Sequence, residues 1–333
     1  MKIRENEKFG IVAVSDAFVE NMTHEVALSD DTWVTSSLPF EVDDNWRTWI
    51  GSIQADQIEK SSLFIITKAL SESPKVLDGE NERLRDKAYK LYFGLLLTDY
   101  FCTYDRPIQL TGSKSDNGLD VRSIGKMDPS LSVPGTPFNK VDQIRLKKSK
   151  QLADAIESLP SKGRFSRFTK VIRSFYSGIT SNFVEDRVHQ FVRSIEGIIY
   201  PDIGKTEKQF KSRTELFIGP KHHQLMGELY RIRSAVEHSH DPFERAPGND
   251  FKEKLIYCFK KAYEAEAISR YCISRLLINK NLWPFFEDDQ SLSDFWNKDI
   301  SSKKNIWGET FKIEQISRSF NEELITQNDL DLH

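Results

Sequence analysis

Residues 225–238 read Leu-Met-Gly-Glu-Leu-Tyr-Arg-Ile-Arg-Ser-Ala-Val-Glu-His. Four apolar side chains share one side of a helix drawn through this stretch: Leu225, Leu229, Ile232 and Val236. At ~100° per residue they cluster within about 60° of one another, so the pattern predicts an amphipathic helix with one buried face. Asp241-Pro242 follows and ends the helix, because proline lacks the amide proton that a further turn requires.

Three more segments with helical periodicity surround this one. They cover residues 183–200, 206–217 and 250–278. The first stops at Pro201 and the second at Gly219-Pro220, which are strong helix-ending signals. Four amphipathic helices with short connections predict a bundle. We therefore expect residues 141–280 to form an all-α domain and the aromatic-rich residues 281–333 to pack back on it as a C-terminal extension.

The N-terminal part has a different pattern. Short apolar runs at 9–14, 25–28, 32–35 and 63–66 predict strands, and residues 81–97 predict an amphipathic helix. Residues 111–140 are rich in Gly, Pro, Ser and Asp and show no period, so they resemble a linker. We predict an α+β domain over 1–140, with a regulatory or sensing role, and a domain boundary near 140.

The charge distribution limits where a nucleic acid could bind. The chain has 47 Lys and Arg against 50 Asp and Glu, so it carries no overall positive charge. Any surface that binds a polyanion such as RNA must therefore be a local cluster of basic residues. Residues 145–173 carry nine basic and two acidic side chains. Four of the basic side chains recur at every third residue and are the predicted RNA-binding residues: Arg164, Arg167, Lys170 and Arg173. The alternative is a solvated face above the buried Phe165 and Phe168.

No metal or cofactor site is predicted. The histidine clusters at 222–223 and 238–240 lack zinc-site spacing, and Gly204-Lys205-Thr206 lacks the first glycine of a phosphate-binding loop. Cys102, Cys258 and Cys272 are widely spaced, as in a reduced intracellular protein. The charged first residues indicate no secretory signal, and no apolar run spans a bilayer. We expect a soluble cytoplasmic protein without a membrane partner.

Arg233 and His238 are separated by four residues and lie late in the third predicted helix. This arrangement resembles the R-x(4–6)-H motif of HEPN domains. Residues 192–199 and 210–219 resemble the first two core helices of the ApeA-like HEPN branch, with Glu196 in the place of the acidic residue. The resemblance covers about residues 165–280 and implies a HEPN-type four-helix bundle.

The resemblance implies an endoribonuclease that needs no metal ion and works as a homodimer, with a toxin or antiviral defence role and a protein or phage-derived trigger. The residue types suit that chemistry. RNA supplies its own nucleophile, the 2′-OH, and an imidazole of ordinary pKa near ~6.5 can exchange a proton at cellular pH. A guanidinium can hold two phosphate oxygens. Ser234, directly after Arg233, stands where many active HEPN domains have Asn, Asp or His.

Two arginines compete as the partner of His238. Family resemblance favours Arg233, whereas regular helix geometry favours Arg231, which lies seven residues before His238 and within about 20° of it. In a regular helix Arg233 would turn towards the core and Glu196. Pairing of Arg233 with Glu196 or Glu237, with His238 merely ending the helix, is the non-catalytic alternative. In that case the domain binds a nucleotide or a partner protein.

Overall fold

The computed structural model of the protein describes residues 2–15, 17, 25–42, 44–73, 75–103, 105–116, 118–137, 140–160, 163–244 and 246–331. The chain divides into two compact units. The first consists of Met1–Ser130 and Phe138–Glu157, and the second of Leu131–Pro137 and Ser158–His333. An α+β N-terminal region followed by a helical C-terminal region agrees with the expected fold class.

An antiparallel sheet organises the first unit. Its strands within the described residues are β1 (Glu7–Val14), β2 (Glu25–Ser29), β3 (Thr32–Thr35), β4 (Leu63–Leu70), β5 (Ile108–Ser115) and β6 (Gly118–Lys126). Their order across the sheet is β2-β3-β4-β1-β5-β6. β1 is buried along its whole length, between β4 and β5, with Ile11 opposite both Ile66 and Leu110. A strand covered on both faces needs a continuous apolar run, which explains the sequence of β1.

One face of the sheet forms an apolar core. Alternate residues point into it, including Phe9 and Ile11 of β1 and Phe64 and Ile66 of β4. Two short helices contribute to the same core, α1 (Asp44–Ile50) and α2 (Ser52–Glu59).

The opposite face carries α3 (Gly79–Thr98), against which α4 (Gln143–Glu157) packs. The side chain of Asp78 caps α3 by accepting hydrogen bonds from the amides of Glu80 and Asn81. The α3 backbone approaches β1 so closely that a Cβ on Gly10 would lie 2.6 Å from the Arg85 amide nitrogen. Glycine at position 10 therefore sets the distance between helix and sheet.

The predicted linker over 111–140 and the boundary near 140 differ from the structure. Ile108–Ser115 and Gly118–Lys126 pair as the strands β5 and β6, and Gln143–Glu157 is a helix of the first unit. The glycines that suggested a linker have strand roles: a Cβ on Gly112 would meet the ring of Phe9 at 2.4 Å. Local composition could not show this, because the hairpin is stabilised by pairing with β1, about a hundred residues away in sequence.

Helices build the second unit. The longer ones are α5 (Ser166–Thr180), α6 (Val184–Ile199), α7 (Thr206–Ile218), α8 (His223–Glu237) and α9 (Phe251–Ile278). The predicted apolar stripe of α6 is confirmed, because Val184, Val188, Phe191, Ile195 and Ile198 are all buried. α6 packs against α5, α8 and α9, which makes it the central helix of the unit. Along the described residues, no helix combines the length and apolarity needed to cross a bilayer.

The C-terminal extension packs back on this unit, as expected. It contains α10 (Trp283–Phe286), α11 (Asp289–Asn297), α12 (Ile300–Trp307), α13 (Ile313–Ser319) and α14 (Gln327–Asp331). Trp307 is fully buried, with its ring centroid 4.5 Å from that of Phe217. Trp296 is buried nearby and donates its indole hydrogen bond to the carbonyl of Ile198 at 3.1 Å.

Gly10→Ala should destabilise the protein by about 1–3 kcal/mol, because the new methyl group meets backbone that cannot turn away. Gly79→Ala is the matched control. It lies at the start of α3 with nothing within 4 Å of an added Cβ, so its effect should stay within about 0.5 kcal/mol. Urea unfolding followed by circular dichroism measures both. Equal stability of the two variants would contradict the close packing of α3 on β1.

Candidate functional site

α8 ends in a well-defined turn that carries two histidines. His238 is the C-cap, Ser239 adopts a left-handed φ of 55°, and the amide of His240 donates to the carbonyl of Ala235 at 2.9 Å. The amide of Ser239 donates to the carbonyl of Val236 at 3.1 Å. These bonds form a Schellman-type helix end, so the helix stays regular up to His238.

A cavity of about 250 Å³ lies beside this helix end. The residues that bear on its chemistry include Arg231, Ser234, His240, Asp241 and Tyr257. His238 does not line the cavity, but its ring centroid lies 6.4 Å from that of His240. The structure therefore brings Arg231 and Ser234, two of the predicted site residues, together with His240, which was not among the predicted site residues.

Arg231 is the available cation of this cavity. It is exposed, and its Nε donates to the carbonyl of Gly227 at 3.3 Å. Among the described residues, no carboxylate forms an ion pair with Arg231. Its charge therefore remains free for an anionic ligand.

Arg233 occupies a different environment. Its Nη2 lies 3.1 Å from Glu196 Oε2 and 3.1 Å from Glu237 Oε2, and only 18% of its side chain is exposed. The guanidinium also lies 5.9 Å from the ring of Tyr230. Arg233 thus ties α8 to α6, as regular helix geometry required, and does not line the cavity. Glu196 is likewise part of this ion pair and outside the cavity lining.

The two carboxylates bound by Arg233 respond differently to their surroundings. Burial raises the pKa of Glu196 above its ordinary value, and the Arg233 charge only partly opposes that shift. Glu237 has a lowered pKa, chiefly because of its hydrogen bond with His189, whose Nε2 lies 3.1 Å from Glu237 Oε2. His189 on α6 therefore belongs to the same polar network.

Carboxylates also line the cavity, and two of them are neutralised. Glu207 pairs with Lys211 at 2.6 Å, and Glu228 pairs with Lys261 at 3.0 Å. Burial and the neighbouring Glu228 raise the pKa of Tyr257, so its hydroxyl stays protonated as a hydrogen-bond donor. These pairings reduce the negative charge that Arg231 experiences.

Sequence reasoning considered His240 only as a metal ligand and set it aside. It lies outside the Arg233–His238 pair that was predicted, although the six residues between Arg233 and His240 also satisfy the R-x(4–6)-H spacing. It follows Ser239, the residue that reverses the chain at the helix end. The usable signal is a second histidine two residues after the helix C-cap and directly before Asp241-Pro242. Such a position turns the side chain away from the helical register, which a helical wheel cannot show.

The predicted RNA-binding residues lie on or next to α5. Arg164 pairs with Glu287 at 2.6 Å and Arg167 with Asp289 at 2.5 Å, and Phe165 and Phe168 are buried below them. Lys170 and Arg173 are exposed. Acidic residues of the C-terminal extension thus neutralise half of the predicted set.

Comparisons with protein-family models, with curated proteins and with solved structures find no match to this chain. The HEPN likeness therefore rests on the residues quoted above.

Arg233→Ala should lower the free energy of unfolding by about 2–3 kcal/mol, less than the ~3–5 kcal/mol of a fully buried pair, because it leaves Glu196 without its cation. The loss should depend on pH. In Arg233→Ala the pKa of Glu196 in the folded protein rises further above 4.5, its ordinary value in the unfolded chain. Protonation of Glu196 therefore stabilises the folded variant, and this contribution is complete below pH 4.5. That contribution disappears as pH rises through the raised pKa. The loss of unfolding free energy in Arg233→Ala relative to wild type is therefore smallest near pH 4 and largest near pH 7.

Urea unfolding between pH 4 and pH 8 measures this deficit. Arg231→Ala is the control and should change stability by no more than about 0.5 kcal/mol, since Arg231 is exposed and has no acidic partner in the described part of the chain. Adding Glu196→Gln to Arg233→Ala should remove most of the pH dependence. A pH-independent deficit in Arg233→Ala would rule out the ion pair as its cause.

Proposed function

We propose that the C-terminal helical unit is a HEPN-type endoribonuclease that cleaves RNA without a metal ion. The observation that supports this most directly is the cavity at the end of α8. Arg231, Ser234 and His240 line it, and the ring of His238 lies 6.4 Å from that of His240. An unpaired guanidinium and two imidazoles are the groups that phosphodiester transfer by an internal nucleophile needs.

In the proposed reaction the 2′-oxygen of the RNA attacks the adjacent phosphorus while the bond from phosphorus to the 5′-oxygen breaks. One imidazole accepts the proton of the 2′-OH, and the other gives a proton to the departing 5′-oxygen. The products are a 2′,3′-cyclic phosphate and a 5′-hydroxyl, and no water is consumed. His238 and His240 are assigned to these two proton transfers, without assigning which accepts and which donates.

Arg231 is assigned to the phosphate. Its guanidinium can donate to two non-bridging oxygens and stabilise the negative charge that grows on them in the transition state. Ser234 is a further donor at the cavity wall, whereas the hydroxyl of Tyr257 already donates to Glu228. Arg233 acts as a positioning residue in this proposal, since its ion pairs with Glu196 and Glu237 hold the last turns of α8 against α6.

We further propose that the enzyme works as a homodimer through this unit, in an antiviral or toxin context with a protein or phage-derived trigger. These assignments rest on the HEPN likeness of residues 165–280. Light scattering of the purified protein at several concentrations tests the dimer, and a monomeric mass throughout would contradict it.

Purified protein should cleave single-stranded RNA in EDTA, and His238→Ala and His240→Ala should each lower the rate about 10²–10⁴-fold, the range of a general acid or base. Single-stranded DNA of the same sequence should stay intact because it lacks the 2′-OH. Mass spectrometry of the fragments should show the cyclic phosphate. His223→Ala is the matched control: His223 begins α8, pairs with Glu215, and does not line the cavity.

Equal RNA cleavage by wild type and His238→Ala would remove His238 from the mechanism. Cleavage of DNA, or products with a 5′-phosphate, would contradict attack by the 2′-OH. Binding of RNA without cleavage would point to the non-catalytic alternative.

Arg231→Ala should reduce cleavage about 10²–10³-fold without loss of stability, as expected when a donor to a developing oxyanion is removed. Arg233→Ala should reduce total activity mainly by lowering the folded fraction, so the rate per folded molecule should stay near that of wild type in Arg233→Ala and in Arg233→Ala/Glu196→Gln. Rates are normalised to the folded fraction measured by circular dichroism. If Arg231→Ala stays active and the double variant stays inactive although folded, the phosphate belongs to Arg233.

A further inference from the structure

The first unit carries a tryptophan that is largely exposed to solvent. Trp49, at the end of α1, is 71% exposed, whereas Trp46, one turn earlier, packs against the sheet core. The Trp46 indole donates to the carbonyl of Leu119 at 3.0 Å, so α1 is fixed on the sheet. An exposed indole on an anchored helix is uncommon, because tryptophan is highly buried on average.

A cation lies beside both indoles. The guanidinium of Arg122 on β6 lies 5.4 Å from the Trp46 ring and 5.8 Å from the Trp49 ring, within cation–π range. Asp120 holds Arg122 in place, with its Oδ1 2.9 Å from Nε and its Oδ2 accepting from Nη2 at 3.2 Å. Among the described residues, Nη1 of Arg122 has no hydrogen-bond acceptor.

A cavity of about 460 Å³ opens between these groups and the end of β6. It falls within the range of about 300–1,000 Å³ typical of small-molecule sites. Its lining includes Trp49, Arg122, Ser123, Ile124 and Lys126. Ile124 is the extra residue of a β-bulge, because Ser123 pairs with Leu110 and Gly125 with Gln109. Bulges at sheet edges commonly redirect side chains next to a site.

The charges around the cavity favour an anion. Lys126 donates to the amide oxygen of Gln57 at 2.8 Å and forms no ion pair within the described part of the chain. The nearby carboxylates of Asp56 and Glu59 are both neutralised by Arg47. Lys126 thus provides a positive charge without an acidic partner next to a flat, exposed aromatic ring. Asp120 balances the charge of Arg122, which contributes the hydrogen-bond donors of its Nη1.

We propose that this cavity binds a nucleotide, with the base stacked on Trp49 and the phosphate held by Arg122 and Lys126. A free mononucleotide and the 5′ end of a nucleic acid strand share this chemistry. Aromatic stacking suits every base, and an adjacent cation suits the phosphate, so the site selects the combination of the two. The inference concerns the first unit alone and does not depend on the nuclease proposal.

Isothermal titration calorimetry of the full chain with AMP tests the proposal. Adenosine and ribose 5-phosphate, which each keep one half of the ligand, should bind at least about tenfold more weakly. Trp49→Ala should weaken AMP binding by about tenfold or more. Lys126→Gln should weaken AMP but leave adenosine unchanged. Ile53→Ala is the matched control, because Ile53 lies four residues after Trp49, is 82% exposed and does not line the cavity.

A 5′-phosphorylated single-stranded DNA oligonucleotide, titrated in parallel, distinguishes the two sources. Tighter binding of the oligonucleotide than of AMP, lost in Trp49→Ala, assigns the site to a strand end. Equal or tighter binding of AMP assigns it to a free nucleotide. No binding of either ligand at millimolar concentration, or equal affinity of wild type and Trp49→Ala with circular dichroism unchanged, would overturn the proposal.

Discussion

The second unit depends on the way α8 is fixed to α6. Apolar contacts bury Leu229 and Ile232, and Arg233 adds a largely desolvated ion pair to Glu196. Such a pair contributes less to net stability than its distance suggests, because both charges must leave water. The pair has a larger effect on the orientation of α8 than on stability. Only one rotation of α8 about its axis lets Arg233 reach Glu196 while Leu229 stays buried. That rotation leaves Arg231 on the outer flank, where the cavity lies.

The end of α8 is the second constraint on the candidate site. A regular helix would place residue 240 about 160° around the axis from 238. The left-handed Ser239 breaks that relation, and the two imidazole centroids come to lie 6.4 Å apart. A non-glycine residue at positive φ is uncommon and costs free energy, so it persists only where the surrounding hydrogen bonds hold it. Here the amides of Ser239 and His240 provide them.

The first unit has a different organisation. β1 is at the centre of the sheet, α3 covers one face, and the short helices α1 and α2 contribute to the core on the other. Because Trp46 anchors α1 through the Leu119 carbonyl, the neighbouring Trp49 is held outside the core and beside Arg122. The indole of Trp46 therefore packs α1 on the sheet, and the indole of Trp49 on the same helix stays exposed for a ligand. A rigid scaffold can present a binding group in this way without flexible loops.

The sequence by itself determined the helices α6 to α9 of the second unit and the strands β1 to β4, because apolar periodicity is a local property that burial reproduces. It also identified Arg231, Ser234 and His238 as neighbours along one helix. Only the tertiary structure decided that residues 108–126 form a hairpin and that Arg233 is occupied by Glu196 and Glu237. It also brought His240 into the cavity with Arg231. These features depend on contacts between residues far apart in the chain or on the left-handed conformation of Ser239. Neither produces a repeating pattern of apolar residues from which the sequence could predict it.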